Sequence, residues 1–382
     1  MKSSIVFVAS HPMSVMAFML PHIRALKVLA PVRVLANTSD CPLLQQRGVD
    51  VEIEHVPLVR SISLWADLNA LWILYWYFKR GGPLSVHTIT PKAGLIGMAA
   101  AWMAQVPVRV HSFTGQVWVT RRGPMRWLLK TLDKFIAGMA TQLLVDSPSQ
   151  RDFLVEQRVV SANSSAVLAA GSICGVNTKR FCPSELARQA VRNELGTSSS
   201  ALVCLYLGRL NHDKGVLDLA RAFARVASAH PKAELWVVGP DEANLYELMH
   251  PLLRNASRQV KRVGFTNEPE RFMQAADLFC LPSYREGFGS SVIEAAACGV
   301  PALVSRIYGL IDAVDEGNTG WMHEAGNIDE LAKQLDDLLA NPESLLSKGR
   351  AARDYVCELF AEEKVTMAML DFYNKRLNEL AL

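Results

Sequence analysis

Two short stretches hold residue types whose spacing suits the binding of a charged ligand. Residues 286–294 read EGFGSSVIE, with Glu286 and Glu294 eight positions apart across a glycine-bearing turn that enters an apolar helix. Gly287 and Gly289 let the backbone approach a ligand closely, and Ser290 and Ser291 begin a helix whose free N–H groups favour a phosphate. Upstream, GRLNHDKG (208–215) sets Arg209 and Lys214 between glycines, directly after the apolar run LVCLYL. Two fixed cations over a strand-end loop are what a nucleotide diphosphate needs when no metal is present. Standing alone, that loop would read as a capping turn with surface cations. Glu294, about one turn into its helix, is placed to accept both hydroxyls of a ribose, and Glu286, before the turn, to hold sugar hydroxyls. A nucleotide-sugar uses all of these parts.

Such a site has to be built by strand ends. In open α/β sheets, ligands bind beyond the carboxyl ends of the strands. The first half alternates strand-like runs with helical text: IVFVA (5–9), VRVLA (32–36), VEIEHV (51–56), LSVHT (84–88), VPVRVH (106–111) and QLLVD (142–146). After Asn- and Ser-rich text the pattern restarts with LVCLYL (202–207), AELWVVG (233–239), VKRVGF (260–265), DLFCLPS (277–283) and VPALVS (300–305). Alternation of this kind specifies parallel sheets wrapped by helices. The fold class expected is α/β, with two Rossmann-like domains facing across a cleft. A first domain is expected over 1–170, a linker over 171–200 and a second domain over 201–361. A C-terminal helix over 362–382 is expected to pack back on the first domain. Gly208 ends the strand ahead of Arg209. Gly239 and the Gly264-Phe265-Thr266 turn lie at further strand ends, where their backbone groups would form a base pocket.

At this point the chain resembles the retaining glycosyltransferases of family 4, which share the GT-B fold. The resemblance rests on GRL…KG followed by E-G-F-G-x-x-x-x-E, and it runs along essentially the whole chain. It implies that Arg209 and Lys214 neutralise the donor diphosphate, Glu286 positions the donor sugar and Glu294 binds the ribose, with Phe288 inside the same motif. The phrase HTITPKAGLIGMAAAWMAQVPVRVHSFTGQVW (87–118) is similar to a bacterial branch acting on undecaprenyl-diphosphate-linked sugars with UDP-sugar donors. That branch works in O-antigen, capsule and glycan assembly. There His111, read as a strand-end residue followed by Gly115, matches the cleft histidine near the reacting centre. One departure stands out: the first strand–helix loop is Ser10-His11-Pro12-Met13-Ser14, without the glycine pair of many members. From the residues alone, His111 could equally be structural, and His87 and His11 are weaker candidates. Lys92, opening a helix, would suit an acceptor phosphate. No D-x-D in a metal-ligand context occurs, so neither a catalytic metal nor a cofactor beyond the UDP-sugar substrate is expected.

Composition bounds the partners. The 382 residues are 50% hydrophobic and 20% charged, enough for two cores. The net charge of +3 hides an asymmetry: residues 1–180 carry about 19 Lys+Arg against 9 Asp+Glu, and the remainder about 21 against 28. A basic first half attracts polyanions, either a diphosphate-bearing substrate or anionic lipid. Nucleic acid is not expected, since no recognition motif is present. Residues 61–80 end in an apolar run too short to span a membrane, which suits either a largely buried helix or membrane contact. RRGPMRWLLKTLDK (121–134) mixes Arg121, Arg122, Arg126, Lys130 and Lys134 with Trp127, Leu128 and Leu129, as a peripheral membrane face does. Seven dispersed cysteines, without a C-x2-C pair, suit a reducing compartment. The expected place is the cytoplasm, peripheral on the inner face of the cell membrane. Two rival functions share the expected binding parts: a UDP-N-acetylhexosamine 2-epimerase, and a non-catalytic nucleotide-sugar-binding subunit.

Overall fold

The computed structural model describes residues 4–39, 51, 53–59 and 63–380. The chain divides into two compact units, Met1–Cys174 with Glu362–Leu382, and Gly175–Ala361.

The first unit is a seven-stranded parallel sheet. Its strands are β1 (Ile5–Ala9), β2 (Val32–Ala36), β3 (Ile53–His55), β4 (Ser85–Ile89), β5 (Val108–Phe113), β6 (Gln142–Val145) and β7 (Ser165–Val167). They lie in the order β3-β2-β1-β4-β5-β6-β7. Every residue of β1 and of β4 is buried, as expected of strands covered on both faces. Side chains alternate between two cores. Val6 and Val8 meet one helical layer: α3 (Leu64–Gly81), α4 (Pro91–Met103) and α5 (Gly123–Met139), through Leu74, Phe78, Met98 and Ile136. Ile5, Phe7 and Ala9 meet the other: α1 (Pro12–Phe18), α2 (Leu20–Leu26) and the C-terminal helix Glu362–Asn378, through Val15, Ile23, Met369 and Tyr373. Helix α6 (Pro148–Glu156) follows β6, its cap made by Ser147, whose hydroxyl accepts from the Gln150 amide.

The second unit repeats this plan. It contains α7 (Glu185–Glu194), β8 (Leu202–Leu207), α8 (Val216–Val226), β9 (Ala233–Val238), α9 (Leu245–Leu253) and β10 (Val260–Val263). It continues with α10 (Pro269–Ala275), β11 (Leu278–Leu281), α11 (Ser290–Ala297), β12 (Ala302–Ser305), β13 (Gly320–His323), α12 (Ile328–Ala340) and α13 (Pro342–Leu359). The six strands are parallel in the order β10-β9-β8-β11-β12-β13. In both sheets the strand order reverses beside the first strand, between β1 and β4 and between β8 and β11. Such switch points are where doubly wound sheets bind ligands. The C-terminal helix Glu362–Asn378 is α14.

The structure corrects three expectations. Residues 171–200 are not a linker: from Gly175 onward they belong to the second unit, and α7 docks on α10. Its anchor is polar. The buried Arg192 pairs with Asp277 at 2.7 Å and donates to the Ala201 and Ala275 carbonyls, beside the buried Val191. Helix α3 is not largely buried, because its tryptophans face outward and only Ala70, Leu74, Phe78 and Gly81 are inside. His111 is not a strand-end residue, since β5 runs on through Ser112 and Phe113. Of the strand expected over 51–56, Glu52 lies outside the described residues.

Candidate functional site

In the second unit, apolar β8 ends at Gly208, and a single 3₁₀ turn, His212–Lys214, leads to Gly215 and α8. Gly215 has φ 66°, and a Cβ there would lie 1.9 Å from the Pro282 carbonyl oxygen. Only glycine lets the loop after β8 press against the loop after β11. That approach brings the charges together. Lys214 Nζ sits 2.5 Å from Glu286 Oε1, which also accepts from the buried Ser283 hydroxyl at 2.8 Å. Arg285 pairs with Asp213 at 2.9 Å, and the Tyr284 amide donates to the Asp213 carbonyl. Arg209, on the same loop, is exposed and meets Glu242 at 3.2 Å.

The other expected donor residues gather nearby on this sheet's carboxyl edge. Gly239 donates its amide to both the Val263 and Gly264 carbonyls at 3.1 Å, and its Cα lies against the Gly208 carbonyl. Phe265, one residue on, is exposed. Gly287 and Phe288 are buried, the Phe288 ring packing 5.2 Å from Phe360. Gly289 is the N-cap of α11, and no side chain caps that helix, so Ser290 and Ser291 start it with its dipole uncompensated. Glu294 is the fifth residue of α11 and is partly buried; among the described residues its carboxylate has no hydrogen-bond partner. Burial pushes its pKa up to about 7, opposed by the Arg180 charge and reinforced by Glu270. A desolvated, unpartnered carboxylate is a costly group to keep, and a ligand's hydroxyls would satisfy it.

In the first unit, His111 is 2% exposed, and its Nδ1 is 2.7 Å from the Thr88 hydroxyl on the neighbouring strand. Helix α4 crosses so close that a Cβ on Gly94 would stand 2.4 Å from His111 Cε1. Burial drives His111 down to about 3, so the ring is neutral. His87 is neutral for the same reason and bonds both Ser112 and Tyr373 of α14. His11 caps α1 by accepting from the Met13 amide. Lys92 does open α4, but its ammonium pairs with Asp67 of α3 at 2.7 Å. Gly115 lies in the loop after β5, beside the buried Gln116. Sequence reasoning missed Ser283, two residues before Arg285, and also Asp146, a charged residue directly ending the apolar run QLLV.

The helical layer α3–α4–α5 carries an exposed aromatic and basic face. Trp65 is 86% and Trp127 70% exposed, joined by Trp72, Trp76 and Phe135. Arg80 stacks over Trp76, and both Arg126 and Lys130 lie over the buried Trp118. No helix among the described residues is long and apolar enough to cross a membrane.

The chain matches the family description "Glycosyl transferases group 1" over residues 187–355 and "Glycosyl transferase 4-like domain" over residues 15–171. It is 31% identical over 350 residues to a capsular polysaccharide biosynthesis glycosyltransferase of Staphylococcus aureus, covering 90% of each chain. A UDP-Gal:alpha-D-GlcNAc-diphosphoundecaprenol alpha-1,3-galactosyltransferase of Escherichia coli is 28% identical over 309 residues, 78% of this chain and 79% of its own. An Anabaena protein solved in complex with UDP and glucose superposes with a TM-score of 0.81 at 18% identity, over 98% of this chain and 100% of that one. Both halves are matched in sequence and both sheets in fold: the chain belongs to the family 4 glycosyltransferases and has their GT-B fold of two Rossmann-like domains.

Proposed function

We propose that this glycosyltransferase moves a hexose or N-acetylhexosamine from a UDP-sugar to a polyprenyl-diphosphate-linked saccharide, with retention at the anomeric carbon and without a metal. The observation that carries the reading is the Lys214–Glu286 contact, a cation and a sugar-binding carboxylate held side by side at the β8/β11 switch point. Lys214, Arg209 and the N-terminus of α11 (Ser290, Ser291) offset the charge that builds on the departing β-phosphate. Glu286 holds the donor sugar and Glu294 the ribose. Backbone groups of Gly208, Gly239, Gly264 and Phe265 receive the base, and the Gly287-Phe288-Gly289 turn brings the chain close to the phosphates. Glu286 is already engaged by Lys214 and Ser283, which favours a binding role over covalent attack. The bond from the sugar C1 to the phosphate oxygen then breaks as the acceptor hydroxyl bonds C1 from the same face, its proton passing to the departing phosphate. His111, being neutral, serves near the reacting centre as a hydrogen-bonding group and not as an acid. Gly115 lets the acceptor approach the backbone, and Lys92 meets its diphosphate by sharing its ammonium with Asp67.

The names of the relatives support this choice of substrates. One acts on a GlcNAc-diphosphoundecaprenol acceptor with UDP-Gal, another serves capsule synthesis, and the Anabaena protein binds UDP and glucose. A lipid-linked acceptor requires a membrane, and the exposed tryptophans with Arg121, Arg122, Arg126 and Lys134 fit the anionic inner face of the cell membrane, with the protein peripheral and cytoplasmic. The test is UDP release from a panel of UDP-sugars, with and without short polyprenyl-diphosphate-linked N-acetylhexosamine acceptors. Acceptor-dependent release from one donor is expected. A donor merely converted to its C2 epimer would replace this reading with the isomerase.

A further inference from the structure

Among the described residues of the first unit, Asp146 is a buried carboxyl group that the proposed roles do not use. Asp146 follows β6 directly, at the carboxyl edge of the sheet, and is only 6% exposed. Its backbone is fixed: its amide donates to Gln150 Oε1 at 2.9 Å, and its carbonyl accepts from the Ser172 amide at 2.6 Å. Its carboxyl group has no hydrogen-bond or ion-pair partner among the described residues. Other buried acids are treated differently. Asp133 accepts from the Trp118 indole at 2.7 Å, and Asp218 pairs with Arg221 at 2.9 Å and accepts from the Tyr284 hydroxyl. Burial without compensation lifts the Asp146 pKa to about 8. An unpaired buried carboxyl costs free energy, and such costs persist where function needs them.

The surroundings are polar, and their groups are already paired. The register Phe113↔Val145 places Thr114 beside Asp146, so the loop with Gly115 and Gln116 runs next to it. Gln150 reaches across from α6, donating to the Thr114 carbonyl at 2.8 Å and to Gln116 at 3.2 Å. The two glutamines and Ser147 are buried and spend their polar atoms on one another and on the backbone. They position the loops and leave Asp146 as the group with capacity to spare. Along the same edge, Ser10 and Thr90 share a hydrogen bond at 2.8 Å, so these strand ends also carry hydroxyls, and the nearby Lys92 ammonium is paired with Asp67.

We infer that the Asp146 carboxyl binds a hydroxyl of the acceptor's sugar ring, making the ends of β5 and β6 the saccharide part of the acceptor subsite. The inference rests on the transferase reading above and adds to it a residue that discriminates acceptor from donor. Hydrogen bonds to a buried carboxyl group are worth on the order of a tenfold to a hundredfold in binding.

The experiment compares the full chain with Asp146→Asn and Asp146→Ala. Measurements are the acceptor KM with a short polyprenyl-diphosphate-linked N-acetylhexosamine, the donor KM, UDP release without acceptor, and Tm. The expected result is an acceptor KM raised by about tenfold or more, larger for alanine than for asparagine. Donor KM and acceptor-free UDP release should stay unchanged, and Tm should be equal or higher because an uncompensated carboxyl has been removed. An acceptor KM within twofold of the wild type overturns the inference while leaving the transferase reading intact. If the wild type transfers to no lipid-linked acceptor, it is the reading that has failed. Saturation-transfer NMR with free N-acetylhexosamine glycosides then decides the role of Asp146. Signal with the wild type that is lost in Asp146→Ala supports it, and equal signal or none overturns it.

Discussion

The two units share a strand order but distribute charge in opposite ways. The first is basic overall, yet the polar groups in and just beyond its strands are neutral: His111 with Thr88 and His87 with Ser112 buried inside β4 and β5, and Ser10 with Thr90 at the carboxyl edge. Many of its exposed cations lie on or beside helices α3 and α5, while Lys92 on α4 is paired with Asp67. The second is acidic overall, yet its switch point carries Lys214 and Arg209 over a helix N-terminus. Net charge therefore describes what each unit's outer surface attracts, and strand-end chemistry describes what each unit binds. A diphosphate leaving group calls for the second arrangement, and a sugar hydroxyl calls for the first.

The sharpest way to break this comparison is to remove charge where it is concentrated. Lys214→Ala and Glu286→Ala should lower kcat/KM for transfer by on the order of a hundredfold or more while the circular dichroism spectrum stays native. Folded variants that keep near-normal turnover would show that the switch-point pair is not the donor site. In the first unit the sensitive quantity is packing. Gly94→Ala pushes a methyl into His111, so stability should fall by about 1–3 kcal/mol, read as a lowered denaturation midpoint. An unchanged midpoint would mean that α4 can shift away from β5.

Titration separates the units further. Glu294, at about 7, is ionised above that value and accepts ribose hydroxyls best there. UDP affinity measured by calorimetry should therefore weaken severalfold from pH 8 to pH 6, and Glu294→Gln should flatten the profile. His111, at about 3, should add no step between pH 5 and pH 8. The smallest effect is expected at the surface. Replacing Trp65 by Ala should leave stability within about 0.5 kcal/mol and weaken flotation with anionic vesicles. Neutralising Arg121, Arg122 and Arg126 should remove the salt dependence of that flotation, and salt-independent binding by the wild type would refute the electrostatic part.

How much of this was legible depended on whether a feature is local in the chain. IVFVA and LVCLYL coincide with β1 and β8 because parallel strands covered on both faces are unbroken apolar runs, and VRVLA coincides with β2, whose first two residues, including Arg33, are only half-buried. The strands GWMH and SAV were missed, the first short and holding a histidine, the second set in serine-rich text that mimics a loop. Both are edge strands, which need less apolar sequence. Arg209, Lys214, Glu286 and Glu294 were readable as a motif, but the Lys214–Glu286 contact spans 72 residues and depends on Gly215 meeting Pro282. The Lys92–Asp67 pair was invisible for the same reason. Helix α3 left two readings open, a buried helix or an interfacial one, because an apolar run does not say which face packs; Leu74 and Phe78 turn inward while Trp65, Trp72 and Trp76 are exposed.

The placement of α14 has a consequence for how the protein is made. Tyr373 fills the first unit's core and bonds His87, yet the ribosome must produce all of Gly175–Ala361 before it reaches that tyrosine. Domains usually complete themselves in the order of synthesis. Here the half translated first has to wait, its β4 histidine uncovered, while the half translated second can close on its own residues. Newly made chains should therefore be most exposed to chaperones and proteases through their older half, until the last helix arrives.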